Sequence, residues 1–240
     1  MINKTTLSYT DDGHPLEAFI AYPSKQKRPL VILCHAWNGR DPFICEKAEL
    51  IASWGYVGVA IDMYGKGILG KSKEENAELK KPFLEDRLFL QKRLLKGYEA
   101  ACSLPYVDSS RIAVLGFGFG AVCALDLARS GAHLTGAISV YGHFDPPLNV
   151  PVQPIKAKVL LLHGYNDPIS PMRDLIAFQQ QLDHDKVDWQ THIYGNTLHA
   201  FVNPKVNDPA AGALYNPASA DRTWIEIENF LRECFRSSIR

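Results

Sequence analysis

The sequence lacks any surplus of charge: across its 240 residues, 26 lysines and arginines are matched by 26 aspartates and glutamates. Phosphate and anionic lipid surfaces are held by clustered cations, so a neutral chain without a basic block argues against nucleic acid or a membrane as partner. It also lacks an apolar run approaching the roughly 18 residues of a membrane span, and its first dozen residues hold no apolar core of the secretory kind. Cysteine is sparse. Cys34, Cys45, Cys102, Cys123 and Cys234 are odd in number, contain no C-x-x-C pair and mostly lie in apolar runs, which reads as free buried thiols in a reducing, cytoplasmic setting. The eight histidines show no H-E-x-x-H or other paired spacing, so no metal is expected. Internal repeats and linkers are missing too. What remains is an ordinary globular composition, 46% hydrophobic. At this length a chain buries about 70–75% of its extended surface, so residues 1–240 are expected to form one domain without staples.

The patterning is that of an α/β protein. Two runs, Ile2 to Tyr9 and Leu16 to Tyr22, flank the turn signal Asp11-Asp12-Gly13 and predict an antiparallel hairpin. Leu30 to His35 and Tyr56 to Asp62 are continuously apolar, as strands covered on both faces must be, and Cys45 to Trp54 between them has helical spacing. Lys71 to Lys81 reads as a loop or short helix. Phe83 to Ser103 reads as one long helix with Leu84, Leu88, Leu94, Leu95 and Tyr98 on its apolar face. Strands are expected at Ile112–Leu115, Leu134–Tyr141, Lys158–His163 and Val187–Tyr194, and helices at Phe119–Arg129, Pro171–Leu182 and Ser219–Phe235. Such alternation builds a mostly parallel sheet wrapped on both faces, with ligands bound beyond the carboxyl ends of its strands.

Arg111 to Ala128 reads RIAVLGFGFGAVCALDLA, a short strand, a turn with glycines at 116, 118 and 120, and a helix. This is the context of a nucleophile elbow, in which flanking glycines let a tight turn expose a central Ser or Cys beside a helix N-terminus. The central residue here is Gly118, which has no side chain. Downstream, Asp167 follows one predicted strand in HGYNDPISP and His199 follows the next in GNTLHAF. Elbow, Asp and His stand in the order in which an acid can orient an imidazole base. The glycines, with Ala121, also satisfy the dinucleotide fingerprint G-x-G-x-x-A. That reading needs an acidic residue at the end of the next strand, and Asp145 lies too far beyond it. Cofactors are therefore not expected. Arg87 and Arg93 have the chemistry to clamp a carboxylate, but as helix-surface arginines they are expected to be solvated.

These residues resemble the dienelactone hydrolase family of α/β-hydrolases from about Ile2 to Phe235. His35 with Gly39 looks like that family's loop after its first parallel strand, Asp62-Met63-Tyr64-Gly65 like its D-x-Y-G segment, and His199-Ala200-Phe201 like its histidine segment. The resemblance implies an α/β-hydrolase fold with a mostly parallel sheet and an N-terminal antiparallel hairpin, acting on small esters or lactones as monomer or homodimer. It implies His199 as base and Asp167 as its orienting acid. The oxyanion hole would come from the Phe119 N–H and a second N–H at Ala36 or Trp37. Two departures stand out: Gly118 replaces the family's cysteine, and Ala36 replaces the glutamate that commonly follows the position of His35. Cys123, over a turn into its helix, cannot substitute. The expected function is weak or altered hydrolysis; the alternative is a pocket that binds a small ligand without turnover.

Overall fold

The computed structural model describes residues 1–150 and 153–236. Strands β1 (Asn3–Asp11) and β2 (His14–Tyr22) form an antiparallel hairpin closed by Asp12 and Gly13, both at positive φ (48° and 79°). A two-residue turn of that hand matches the twist of its strands, and Asp-Gly adopts it readily. Chain order then runs β3 (Arg28–Cys34), α1 (Pro42–Ser53), β4 (Val57–Ile61), α2 (Lys73–Glu85), α3 (Arg87–Cys102), β5 (Val107–Phe117), α4 (Phe119–Arg129) and β6 (Gly136–Val140). It continues through β7 (Lys158–Gly164), α5 (Met172–His184), β8 (Trp189–Tyr194), the short β9 (Asn207–Asp208) and β10 (Ala213–Leu214), and α6 (Pro217–Phe235). The main sheet has eight strands in the order β1-β2-β4-β3-β5-β6-β7-β8. All pairings from β4 to β8 are parallel, and only the hairpin joins antiparallel.

Strand alternation sorts the core into two faces. Leu30, Ile32 and Cys34 of β3 point to the side covered by α3 and α4, where they meet Leu90, Leu94, Cys123 and Leu127. Val31 and Leu33 point to the other side, against Ile44, Ala48 and Ile51 of α1 and Ile227 and Leu231 of α6. Because both faces are covered, every residue of β4 and β6 is buried. From β3 the chain moves outward to β4 on one side, whereas β5 leads to β6 on the other. That reversal opens a crevice at the carboxyl ends of β3 and β5. Among the described residues no helix is long and apolar enough to cross a membrane.

The long helix expected from Phe83 to Ser103 is two helices. Asp86 sits between them in extended conformation (φ −125°, ψ 93°), and its Oδ1 accepts from the N–H groups of Leu88 and Phe89. A carboxylate that satisfies first-turn donors starts a helix more favourably than it continues one. The charged stretch before it forms α2, capped by Ser72 through the Glu75 N–H. Leu84 and Leu88, placed on the apolar face by the sequence, are exposed; Leu90, Leu94, Gly97 and Ala101 form the buried stripe. Asn149, in the loop after β6, donates to Asp86 Oδ1 and accepts from the Arg87 N–H.

Arg87 and Arg93 are not solvated either. Arg87 clamps Asp126 of α4 through two hydrogen bonds (2.6 and 2.7 Å). Arg93 donates to Asp11 (2.8 Å) and to the Met63 carbonyl (2.8 Å), with both charged side chains at most 5% exposed. The second pair fastens the end of β1 to α3 and to the loop after β4. Removing one partner of a buried pair strands the other charge, so Arg93→Ala is expected to lose about 3–5 kcal/mol of stability, read from urea unfolding followed by circular dichroism. A loss below about 1 kcal/mol would mean that water already solvates Asp11.

Candidate active site

β5 passes into α4 at Gly118, whose φ of 55° and ψ of −110° lie in a region that side-chain-bearing residues seldom enter. The Gly118 N–H donates to Val140 of β6, and its carbonyl accepts from Ala121 and Val122. The neighbouring glycines are needed for space: a methyl group on Gly116 would strike the Gly120 carbonyl, and one on Gly120 would strike the Cys34 carbonyl of β3. Gly118 itself is faced by side chains and not by main chain. A methyl group there would meet Cε2 of Tyr141 at 3.3 Å and Nε2 of His199 at 3.7 Å.

Asp167 and His199, thirty-two positions apart, are in contact: Nδ1 of His199 donates to Oδ2 of Asp167 at 2.7 Å. The other Asp167 oxygen accepts from the N–H groups of Ile169 and Ser170, and the carboxylate is fully buried. His163 donates through Nε2 to the Ser170 carbonyl, holding the loop from the inside. The His199 main chain is bonded on both sides to the β9–β10 ribbon, N–H to Gly212 and carbonyl from Leu214. Tyr141 sets its ring edge-on to His199 at 4.9 Å. With Nδ1 committed to the carboxylate, Nε2 is left facing Gly118.

Ala36 and Trp37 follow β3. The buried His35 donates from Nδ1 to the Ala36 carbonyl (2.7 Å) and accepts from the Met63 N–H at Nε2. Gly39 N–H also reaches the Ala36 carbonyl, and the Tyr64 hydroxyl donates to that of Trp37. Ala36, Trp37, Gly118, Phe119 and His199 line one cleft of about 440 Å³, together with Lys80, Tyr141, His143 and Ile169. Five of the six residues singled out in the sequence therefore share a cavity, and the sixth, Asp167, stands behind it, bonded to His199. Cys123 is buried in α4, outside the cleft lining, and burial pushes its thiol pKa well up.

A profile of the dienelactone hydrolase family matches residues 16–235. The chain belongs to the dienelactone hydrolase family. It is 24% identical to a protein named "Putative carboxymethylenebutenolidase" from Saccharolobus solfataricus, over 93% of this chain and 96% of the relative. It is 26% identical to a "Probable 2-oxo-3-(5-oxofuran-2-ylidene)propanoate lactonase" of Bradyrhizobium sp., over 92% of this chain and 90% of the relative. Among solved structures, a dienelactone hydrolase-like promiscuous phosphotriesterase from metagenomic libraries superimposes with a TM-score of 0.92 at 27% identity, covering 98% of this chain and 99% of that one.

In this dienelactone hydrolase family member the sequence reading missed His143. It follows Tyr141-Gly142 at the carboxyl end of the strand beside the elbow, a position that strand order alone could have flagged. Its ring lies 5.9 Å from that of His199. Burial, with the neighbouring His199 and Lys80, pulls its pKa down; burial does the same to His35 and His163.

Two expectations follow for the fold of this site. Gly118→Ala meets no backbone but must hold an unfavourable φ, so it is expected to fold with a loss of about 1–3 kcal/mol. Gly120→Ala should not unfold cooperatively at all, which urea titration of both variants checks. The second expectation concerns pH. The buried His35 and His163 and the half-buried His143 bind protons less readily folded than unfolded, where histidine titrates near 6.5. The unfolded chain then holds more protons in acid, and the stability present above about pH 6.5 drains away as pH falls through the depressed folded values. Urea midpoints should drop between about pH 7.5 and 5.5, less steeply in His143→Asn; equal slopes would remove His143 from the account.

Proposed function

We propose that this chain hydrolyses small ester or lactone substrates with a water molecule in place of a side-chain nucleophile, without metal or cofactor, in the cytoplasm. The reading rests on one observation: the imidazole fixed by Asp167 directs Nε2 at Gly118, where a Cβ would stand 3.7 Å away. His199 is the general base that takes a proton from water and returns it to the leaving oxygen; Asp167 holds its tautomer and orientation. The developing oxyanion is received by the Phe119 N–H at the start of α4 and by a second N–H from the loop after β3. Of the two candidates there, Trp37 is favoured. Its N–H lies anti to the Ala36 carbonyl across a trans peptide, and that carbonyl is held by His35 and Gly39. The names of the relatives, a butenolidase and a lactonase, support the substrate class.

Magnitudes limit what this machinery delivers. A hydrolase stripped of its nucleophile keeps about 10³–10⁴-fold over water from binding and the oxyanion hole. Turnover of p-nitrophenyl acetate and of a dienelactone is expected in that range. His199→Ala should lower it at least about 10²-fold, and Gly118→Cys should raise it by about 10² or more in a His199-dependent manner. No gain in Gly118→Cys would detach position 118 from nucleophile chemistry. The alternative, a ligand-binding protein without turnover, is favoured by the joint absence of a thiol at 118 and a carboxylate at 36. It prevails if the unaltered chain matches His199→Ala in rate while a lactone still saturates it.

A further inference from the structure

His143 is the histidine of this site that no structural duty accounts for. His35 and His163 are spent on main-chain carbonyls, and His199 is held by Asp167. Half-buried beyond the carboxyl end of β6, the His143 ring makes no hydrogen bond among the described residues, and its nitrogens are not closed off from open space. A partly desolvated imidazole without a partner costs free energy that a ligand's hydrogen bond would offset. His199 lines the same cleft, with the two ring centres 5.9 Å apart, too far for the rings to bond each other. An atom one hydrogen bond away from a nitrogen of each ring would stand roughly 4 Å from both ring centres, and the two rings would subtend about 95° at it. That is close to the angle between the two O–H bonds of a water molecule.

We propose that His143 is a second catalytic residue, which with His199 holds the hydrolytic water in the cleft, each imidazole accepting one of its two hydrogens. This rests on the hydrolase reading above and adds the water's second partner. With both hydrogens held, a lone pair of the oxygen is left to face the ester carbonyl carbon. As the new C–O bond forms, Nε2 of His199 takes one proton, while the other hydrogen stays on the oxygen, bonded to His143. The tetrahedral intermediate then breaks its bond to the alcohol oxygen, and His199 returns the proton to the departing alkoxide. Ester plus water gives acid plus alcohol. His143 works by accepting, so it must be neutral. Burial, His199 and Lys80 of α2 favour the neutral ring, against Asp167 and Asp145. Glu85 and Arg87, the latter paired with Asp126, line the adjoining pocket with it.

The test is protein-dependent hydrolysis of p-nitrophenyl acetate by the full chain and by His143→Leu, His143→Gln and His199→Ala, with melting curves to report that each is folded. His143→Leu is expected to lower kcat about tenfold or more while KM stays within about twofold. His143→Gln, whose side-chain oxygen accepts in place of the ring nitrogen, should restore most of the rate. In acid, protonating either imidazole removes an acceptor, so log kcat/KM of the unaltered chain should fall with a limiting slope of about two, and that of His143→Gln with a slope of about one. A merely structural histidine would leave that slope unchanged, and the comparison with His143→Gln decides even where His143→Leu does not fold. An unchanged rate in His143→Leu, a loss confined to KM, or equal slopes in the unaltered chain and His143→Gln overturns the proposal. If His199→Ala loses turnover while the His143 variants do not, only the second acceptor falls and the hydrolysis stands. Equal rates in the unaltered chain and His199→Ala overturn both.

Discussion

The organisation of this molecule depends on one crossing, where the start of α4 passes the end of β3 with no side chain between them. Gly120 lies directly against the Cys34 carbonyl, and Gly116 against Gly120. Only main chain fits there. The contact locks the turn into its unusual dihedral angles and sets the N-terminus of α4 beside the loop that carries His35, Ala36 and Trp37. Both donors proposed for the oxyanion therefore depend on two hydrogen atoms where a methyl group would otherwise be. The imidazole opposite is positioned independently, by a buried carboxylate and the small β9–β10 ribbon. The cleft is thus a meeting of two rigid frames, one made of main chain and one of side chains.

Much of this was legible in the sequence, for identifiable reasons. Continuous apolar runs mark strands covered on both faces, and a glycine-rich break followed by an apolar run gave α4 its observed bounds, Phe119–Arg129. The order of the loops bearing Gly118, Asp167 and His199 could be read because each follows its own strand. Other features depend on partners distant along the chain. The burial of Arg87 and Arg93 needs Asp126 and Asp11, 39 and 82 positions away, and no local pattern announces them. The corner at Asp86 escaped because apolar periodicity continues across it; the capping carboxylate was the available signal. His143 went unnoticed because a lone histidine acquires meaning only from its distance to another.

Three of the buried polar side chains act alike: each holds a loop that would otherwise have only water to bond with. His35 grips the Ala36 carbonyl, His163 the Ser170 carbonyl, and Arg93 the Met63 carbonyl. Burying them costs solvation, which main-chain hydrogen bonds offset. In return the loops at the carboxyl ends of the strands are held by several bonds apiece. The water-driven hydrolysis proposed above has particular need of this stiffness, because its rate would come from groups already aimed.

Asp86 also has a mechanical consequence. Its carboxylate starts α3, and through Asn149 it holds the loop that follows β6. That loop carries His143, and α2, which ends at Asp86, carries Lys80; both residues line the cleft. Two walls that come from separate parts of the chain are thus hinged on a single side chain. The placing of one wall relative to the other is therefore tied to the hydrogen bonds of that one carboxylate.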